Sequence, residues 1–230
     1  MTIVAQYIFG SHARGDYTKE SDIDLLSVTN DDAFSSFSHG ELNISFYPRK
    51  NLLEDARKGS LFVMHIVREA VPTYDPKNIH ADVVRNFRWR SSYGGEIAKA
   101  SDLGWFLLYQ QSQFHNRQVV NRRISWSVRT ILIALTADRG APVFSPHELA
   151  QFANKPYASR LLSLKSRDTI TIDDLADLRT FLAEFGHKAP AVVLDKDLKG
   201  TWIHFRDTKN SIGIKTVTQM EIDVEDEFYS

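Results

Sequence analysis

Two carboxylates stand one residue apart at Asp22 and Asp24, interleaved with Ile23 and Leu25, a short loop after a Gly-Ser turn at Gly10 and Ser11. On an extended strand side chains alternate between faces, so Asp22 and Asp24 project to one side and the aliphatics to the other. Adjacent carboxylates repel unless a cation lies between them. A hard ion such as Mg²⁺ accepts such oxygens and keeps its remaining positions for substrate phosphates. Gly10 lets the backbone come close to a ligand, and Ser11 offers a hydroxyl and an N–H at the expected start of a short helix, where phosphate oxygens are favoured. Both halves of the stretch from Phe9 to Leu26 therefore point to Mg²⁺ and a nucleoside triphosphate.

The string FGSHARGDYTKESDIDLL resembles the signature of the DNA polymerase β-like nucleotidyltransferases, and most closely its small bacterial minimal-nucleotidyltransferase branch. The resemblance implies that Gly10 and Ser11 bind the triphosphate and that Asp22 and Asp24 are the catalytic metal ligands, for Mg²⁺ with room for two ions. Arg14, which matches the Arg of the family's Ala-Arg-Gly segment, joins the nucleotide-binding set by bracing the loop against a carboxylate, and Ser21 completes that set. The implied reaction transfers a nucleoside monophosphate from an NTP, ATP first among them, to an acceptor hydroxyl. The acceptors implied are a protein side chain, a tRNA 3′ end or a small molecule, the first two in a bacterial toxin–antitoxin or phage-defence setting.

The family usually supplies a third carboxylate from a neighbouring strand, here Leu42 to Tyr47. Alternation buries Leu42, Ile44 and Phe46 and turns Asn43, Ser45 and Tyr47 to the other face, which carries no acid. Asn43, Ser45 with water, Glu41, or nothing takes that place. The alternative function, a non-catalytic nucleotide-binding or antitoxin-like module, follows from this departure.

Those residues need a sheet to hold them. Ile3 to Phe9 reads as a buried strand ended by Gly10, with the Asp-x-Asp strand and Leu42 to Tyr47 as its partners. Thr29 to Gly40 reads as a polar connection with one helical turn. Asn51 to Glu69 reads as two helices divided at Gly59-Ser60. In many relatives a helix precedes the first strand; the expectation here is an apolar flank that the C-terminal half, a homodimer or a partner protein would cover. Further on, Val120, Ile124, Val128, Ile131 and Leu135 keep helical spacing, Ser145 to Glu148 reads as a capping box, and Thr171 caps a helix to Phe185. AVVLD, GTWIHFR and SIGIKTV read as short strands. The expected fold is α+β: a nucleotidyltransferase-type mixed sheet flanked by helices over residues 1–78, a helical bundle over 79–188 and a short β-rich extension over 189–230.

The 230 residues suffice for a substantial core, and the formal net charge of -1 gives no global pull toward nucleic acid. The chain has no cysteine, which excludes disulfides, zinc-thiolate sites and thiol nucleophiles. With a short apolar start lacking a basic leader and no membrane span, the expected location is cytoplasmic.

Overall fold

The computed structural model describes residues 2–19, 21–114 and 116–227. The chain divides into two compact units, Met1–Ser91 and Ser92–Ser230.

The first unit runs β1 (Ile3–Phe9), α1 (Ser11–Arg14), β2 (Ile23–Thr29), β3 (Ser35–His39), β4 (Leu42–Pro48), α2 (Arg49–Arg57), α3 (Leu61–Glu69), β5 (Val71–Tyr74) and α4 (Ile79–Asn86). The strands form one mixed sheet in the order β3-β4-β2-β1-β5. Only the β2–β4 pair is parallel; β1 pairs β2 and β5, and β3 pairs β4, all antiparallel. The alternation of β1 puts Ala5, Tyr7 and Phe9 into the core. That face is packed by helices: Phe9 meets Phe62 and His65 of α3 edge-on, and Tyr47 stacks on Phe62 at 5.5 Å. Gly59, at φ +63°, separates α2 from α3, and a Cβ there would run into the Arg88 carbonyl oxygen. Arg88 in turn donates its backbone N–H to Ala56 at 3.0 Å, so the segment after α4 stays with the first unit beyond residue 78.

Two expectations are corrected in this unit, and one strand is added. The stretch before Gly40 forms the edge strand β3 rather than a helical turn, because the Gly40-Glu41 turn, with Gly40 at φ +58°, folds it back onto β4. Val71–Tyr74 adds a second edge strand, a position that tolerates Pro72. Leu42, Ile44 and Phe46 are half-buried rather than buried, because the helices lie on the Tyr47 side. Register lines up Val71, Ile8, Leu25, Ile44 and Phe37 across the opposite face, where Val71 and Phe37 are 48% and 52% exposed.

The second unit is helical: α5 (Gly94–Gln110), α6 (Arg117–Asp138), α7 (Pro146–Ala153), α8 (Pro156–Ser163), α9 (Ile172–Phe185), α10 (Ala191–Leu194), α11 (Leu198–Asp207) and α12 (Ser211–Glu227). Val120, Ile124, Val128 and Ile131 of α6 are fully buried, as their spacing predicts. The Thr171–Asp174 capping box forms, and Arg167 grips the Asp174 carboxylate through two nitrogens at 3.1 and 2.9 Å. Ser145 makes no side-chain capping bond; Pro146 opens α7 instead.

The expected C-terminal β extension is helical. Asp197 caps α11 by accepting from the Gly200 N–H at 2.9 Å, and Asn210 accepts from Gly213 at 3.0 Å at the start of α12. Thr201 and Phe205, four apart, and Val217 and Met220, three apart, are buried on helical spacing. Phe205 packs edge-on against Phe106 of α5 at 5.8 Å. This burial and capping override the β preference of Val, Ile and Thr in those runs.

Candidate nucleotide site

β1 ends at Phe9, and Gly10 turns the chain with φ +74° and ψ -150°, a conformation essentially confined to glycine. Asp24 lies beside this turn. Phe9 is the register partner of Asp24, and a Cβ built on Gly10 would stand 2.9 Å from Asp24 Oδ2. The turn therefore leaves a cradle against the carboxylate that any side chain would fill. Ser11 opens α1, whose first N–H groups have no acceptor within the helix. Arg14 and Gly15 close the turn by donating to Gly10 and Ser11 at 3.0 and 2.9 Å.

Asp22 directly precedes β2, and Asp24 is its second residue; both are half-buried. Register places Asp24 on the face of Phe9, and Asp22 stands two residues before it at the entry to the strand. On the other flank Asn43 of β4 is the register partner of Asp24, and its Nδ2 donates to Asp24 Oδ1 at 3.4 Å. A carboxylate oxygen can only be met favourably there by the N–H end of the amide. Glu41 lies one residue before β4, is exposed, and accepts the Ile23 N–H through its backbone carbonyl at 2.7 Å.

Arg14 lies across the back of the loop. Its Nη1 donates to Glu69 Oε2 at 2.6 Å and its Nε to Asp16 at 3.1 and 3.2 Å. Burial opposes the charge, but the bonds to Asp16 and Glu69 outweigh it and hold the guanidinium above its ordinary pKa. His65 Nε2 lies 2.7 Å from the same Glu69 oxygen. Glu69 thus ties α1 to α3, a role invisible in the sequence because the partners are 55 residues apart. Arg14 thereby joins the loop to two carboxylates, Asp16 and Glu69. Ser21 accepts the Thr18 N–H on its hydroxyl at 2.9 Å, so its side chain closes the loop between α1 and β2. His12 stacks on Tyr17 at 4.5 Å and its Nε2 lies 3.4 Å from the Ser21 carbonyl oxygen.

Among the described residues no three His, Cys, Asp or Glu side chains form a group able to hold a metal ion. Two hard carboxylates beside a glycine cradle nevertheless suit a divalent cation whose remaining ligands are phosphate oxygens and water. A glycine turn leading into a helix start is set here against a carboxylate strand of a mixed sheet, in an α+β domain.

Residues 3–72 match the family model described as the nucleotidyltransferase domain. Over that stretch the chain is similar to nucleotidyltransferase domains, a similarity that supports a general nucleotidyl-transfer activity. Among solved structures, the chain is similar to a nucleotidyltransferase-like protein from Exiguobacterium sibiricum 255-15, with 13% identity over 89% of this chain and 73% of that one, at a TM-score of 0.32. No curated protein matches the chain. Among the described residues no helix is long and apolar enough to cross a membrane.

Proposed function

We propose that the first unit is a Mg²⁺-dependent transferase centre that moves a nucleoside monophosphate from a nucleoside triphosphate, ATP first among them, to an acceptor hydroxyl. The observation that carries this reading is the apposition of Gly10 and Asp24, which sets a carboxylate against a turn that has room for no side chain. In this reading N–H groups at Gly10 and Ser11 bind the terminal phosphates, and Arg14 and Ser21 keep the flanking loop in shape. Asp22 and Asp24 would hold Mg²⁺, which would supply neutralisation of the phosphate charge. The acceptor oxygen forms a bond to the α-phosphorus, the bond to the bridging oxygen breaks, and pyrophosphate leaves with that electron pair while the hydroxyl proton passes to solvent. Positioning and electrostatic stabilisation are what the protein contributes.

One observation favours a second reading, a nucleotide-binding module without turnover: the neighbour of Asp24 on β4 is Asn43, an amide that cannot act as a base. Both readings are tested by incubating each α-³²P nucleoside triphosphate and Mg²⁺ with total cellular RNA, protein and small-molecule acceptors. Label transferred by the wild type and not by the Asp22→Ala/Asp24→Ala double variant supports the transferase, and the labelled product names the acceptor. Nucleotide binding without transfer supports the module.

A further inference from the structure

We propose that this site holds one divalent cation rather than two, and that Asn43 sets that number. The inference rests on the nucleotide-binding reading of Asp22 and Asp24 given above. Two-ion phosphoryl sites place their cations about 3.5–4 Å apart. At that distance dications repel strongly, so the pair persists only where several carboxylate oxygens bridge or flank it.

Here Asp24 has Gly10 on one side and Asn43 on the other. The Asn43 Nδ2 lies 3.4 Å from Asp24 Oδ1, so the partial positive charge of an amide N–H stands where an additional cation would approach that oxygen. The register fixes this relationship, since Asn43 and Asp24 are cross-strand neighbours in the parallel β2–β4 pair. The opposite oxygen, Oδ2, is the one beside the Gly10 cradle. An ion placed there meets the phosphates that the turn would hold, and the amide fills the other flank of the carboxylate. A neutral amide in this place lowers the negative charge of the site by one relative to an acid, which favours a single cation shared between Asp22, Asp24 and the triphosphate.

The test uses the full chain with Mn²⁺ and the non-hydrolysable analogue α,β-methylene ATP, read by equilibrium dialysis for ions per chain and by electron paramagnetic resonance for spin coupling. The wild type should bind one Mn²⁺ with an uncoupled spectrum, and Glu41→Gln should do the same. Asn43→Asp, nearly isosteric, should take up a second Mn²⁺ and show a spin-coupled pair. A coupled pair in the wild type overturns the inference while leaving the nucleotide reading intact; its loss in Glu41→Gln would assign the extra ligand to Glu41. A single uncoupled ion in Asn43→Asp overturns the role of Asn43. If the wild type retains neither Mn²⁺ nor the analogue, the nucleotide reading itself fails, and this inference with it.

Discussion

Gly10 and Asp24 are built against each other: the glycine turn has φ +74°, and a Cβ on it would stand 2.9 Å from Asp24 Oδ2. Gly10→Ala therefore meets two costs, a backbone state that L residues avoid and a collision with the carboxylate. We expect a stability loss of about 1–3 kcal/mol. Transfer activity should fall by about a hundredfold or more, since displacing a positioned group by 1 Å can cost that much. Thermal unfolding and initial transfer rates measured on the same preparation check both, and an unchanged rate would separate the turn from the chemistry.

Glu69 receives Arg14 at 2.6 Å and His65 at 2.7 Å, with the Arg14 and Glu69 side chains only 15% and 12% exposed. Glu69→Gln removes the shorter of the two carboxylate contacts of a largely buried guanidinium and leaves it Asp16 alone. The expected cost is about 3 kcal/mol, read as a shift in the urea midpoint. Nucleotide affinity should weaken as well, because α1 loses its tie to α3. Full stability with intact affinity would show that Asp16 alone suffices to hold Arg14.

In the second unit, burial would raise the Asp174 carboxyl, but Arg167 and the Thr171 hydroxyl and N–H outweigh that and hold its pKa below the ordinary range. A carboxylate depressed in the folded state binds fewer protons there than in the unfolded chain, so stability rises with pH across its window. The contribution is complete above the unfolded value of about 3.9 and disappears as pH falls through the lower folded value. Asp174→Asn should be less stable near neutral pH and should flatten the stability slope below about pH 4. Urea unfolding of both proteins from acid to neutral pH measures this, and parallel slopes would contradict it.

The parts of the fold legible in the sequence were those written locally. Gly10, Ser11, Asp22 and Asp24 fall within one short stretch, and its turn-then-strand pattern survives in the structure because β1 and β2 are direct neighbours. The split between α2 and α3 was equally legible, since Gly59 is a position that only glycine fits. The strand β3 was hidden by its Ser-rich composition, as all its residues are exposed and leave no apolar alternation to read. The C-terminal helices were hidden by Val, Ile and Thr content. The caps at Asp197 and Asn210 and the packing of Phe205 on Phe106 decide that region, and the latter is a long-range contact. Asn43 was legible from the alternation of its strand, whereas Glu69 enters the site only through tertiary pairing.

The most direct test of the account is the Mg²⁺ dependence of nucleotide binding, measured calorimetrically with a non-hydrolysable triphosphate on the wild type and the Asp22→Asn/Asp24→Asn variant. The account predicts binding that strengthens with Mg²⁺ in the wild type, and a variant of unchanged circular dichroism that loses the Mg²⁺-dependent part by about a hundredfold or more. Equal affinity in both proteins, with or without Mg²⁺, would contradict it.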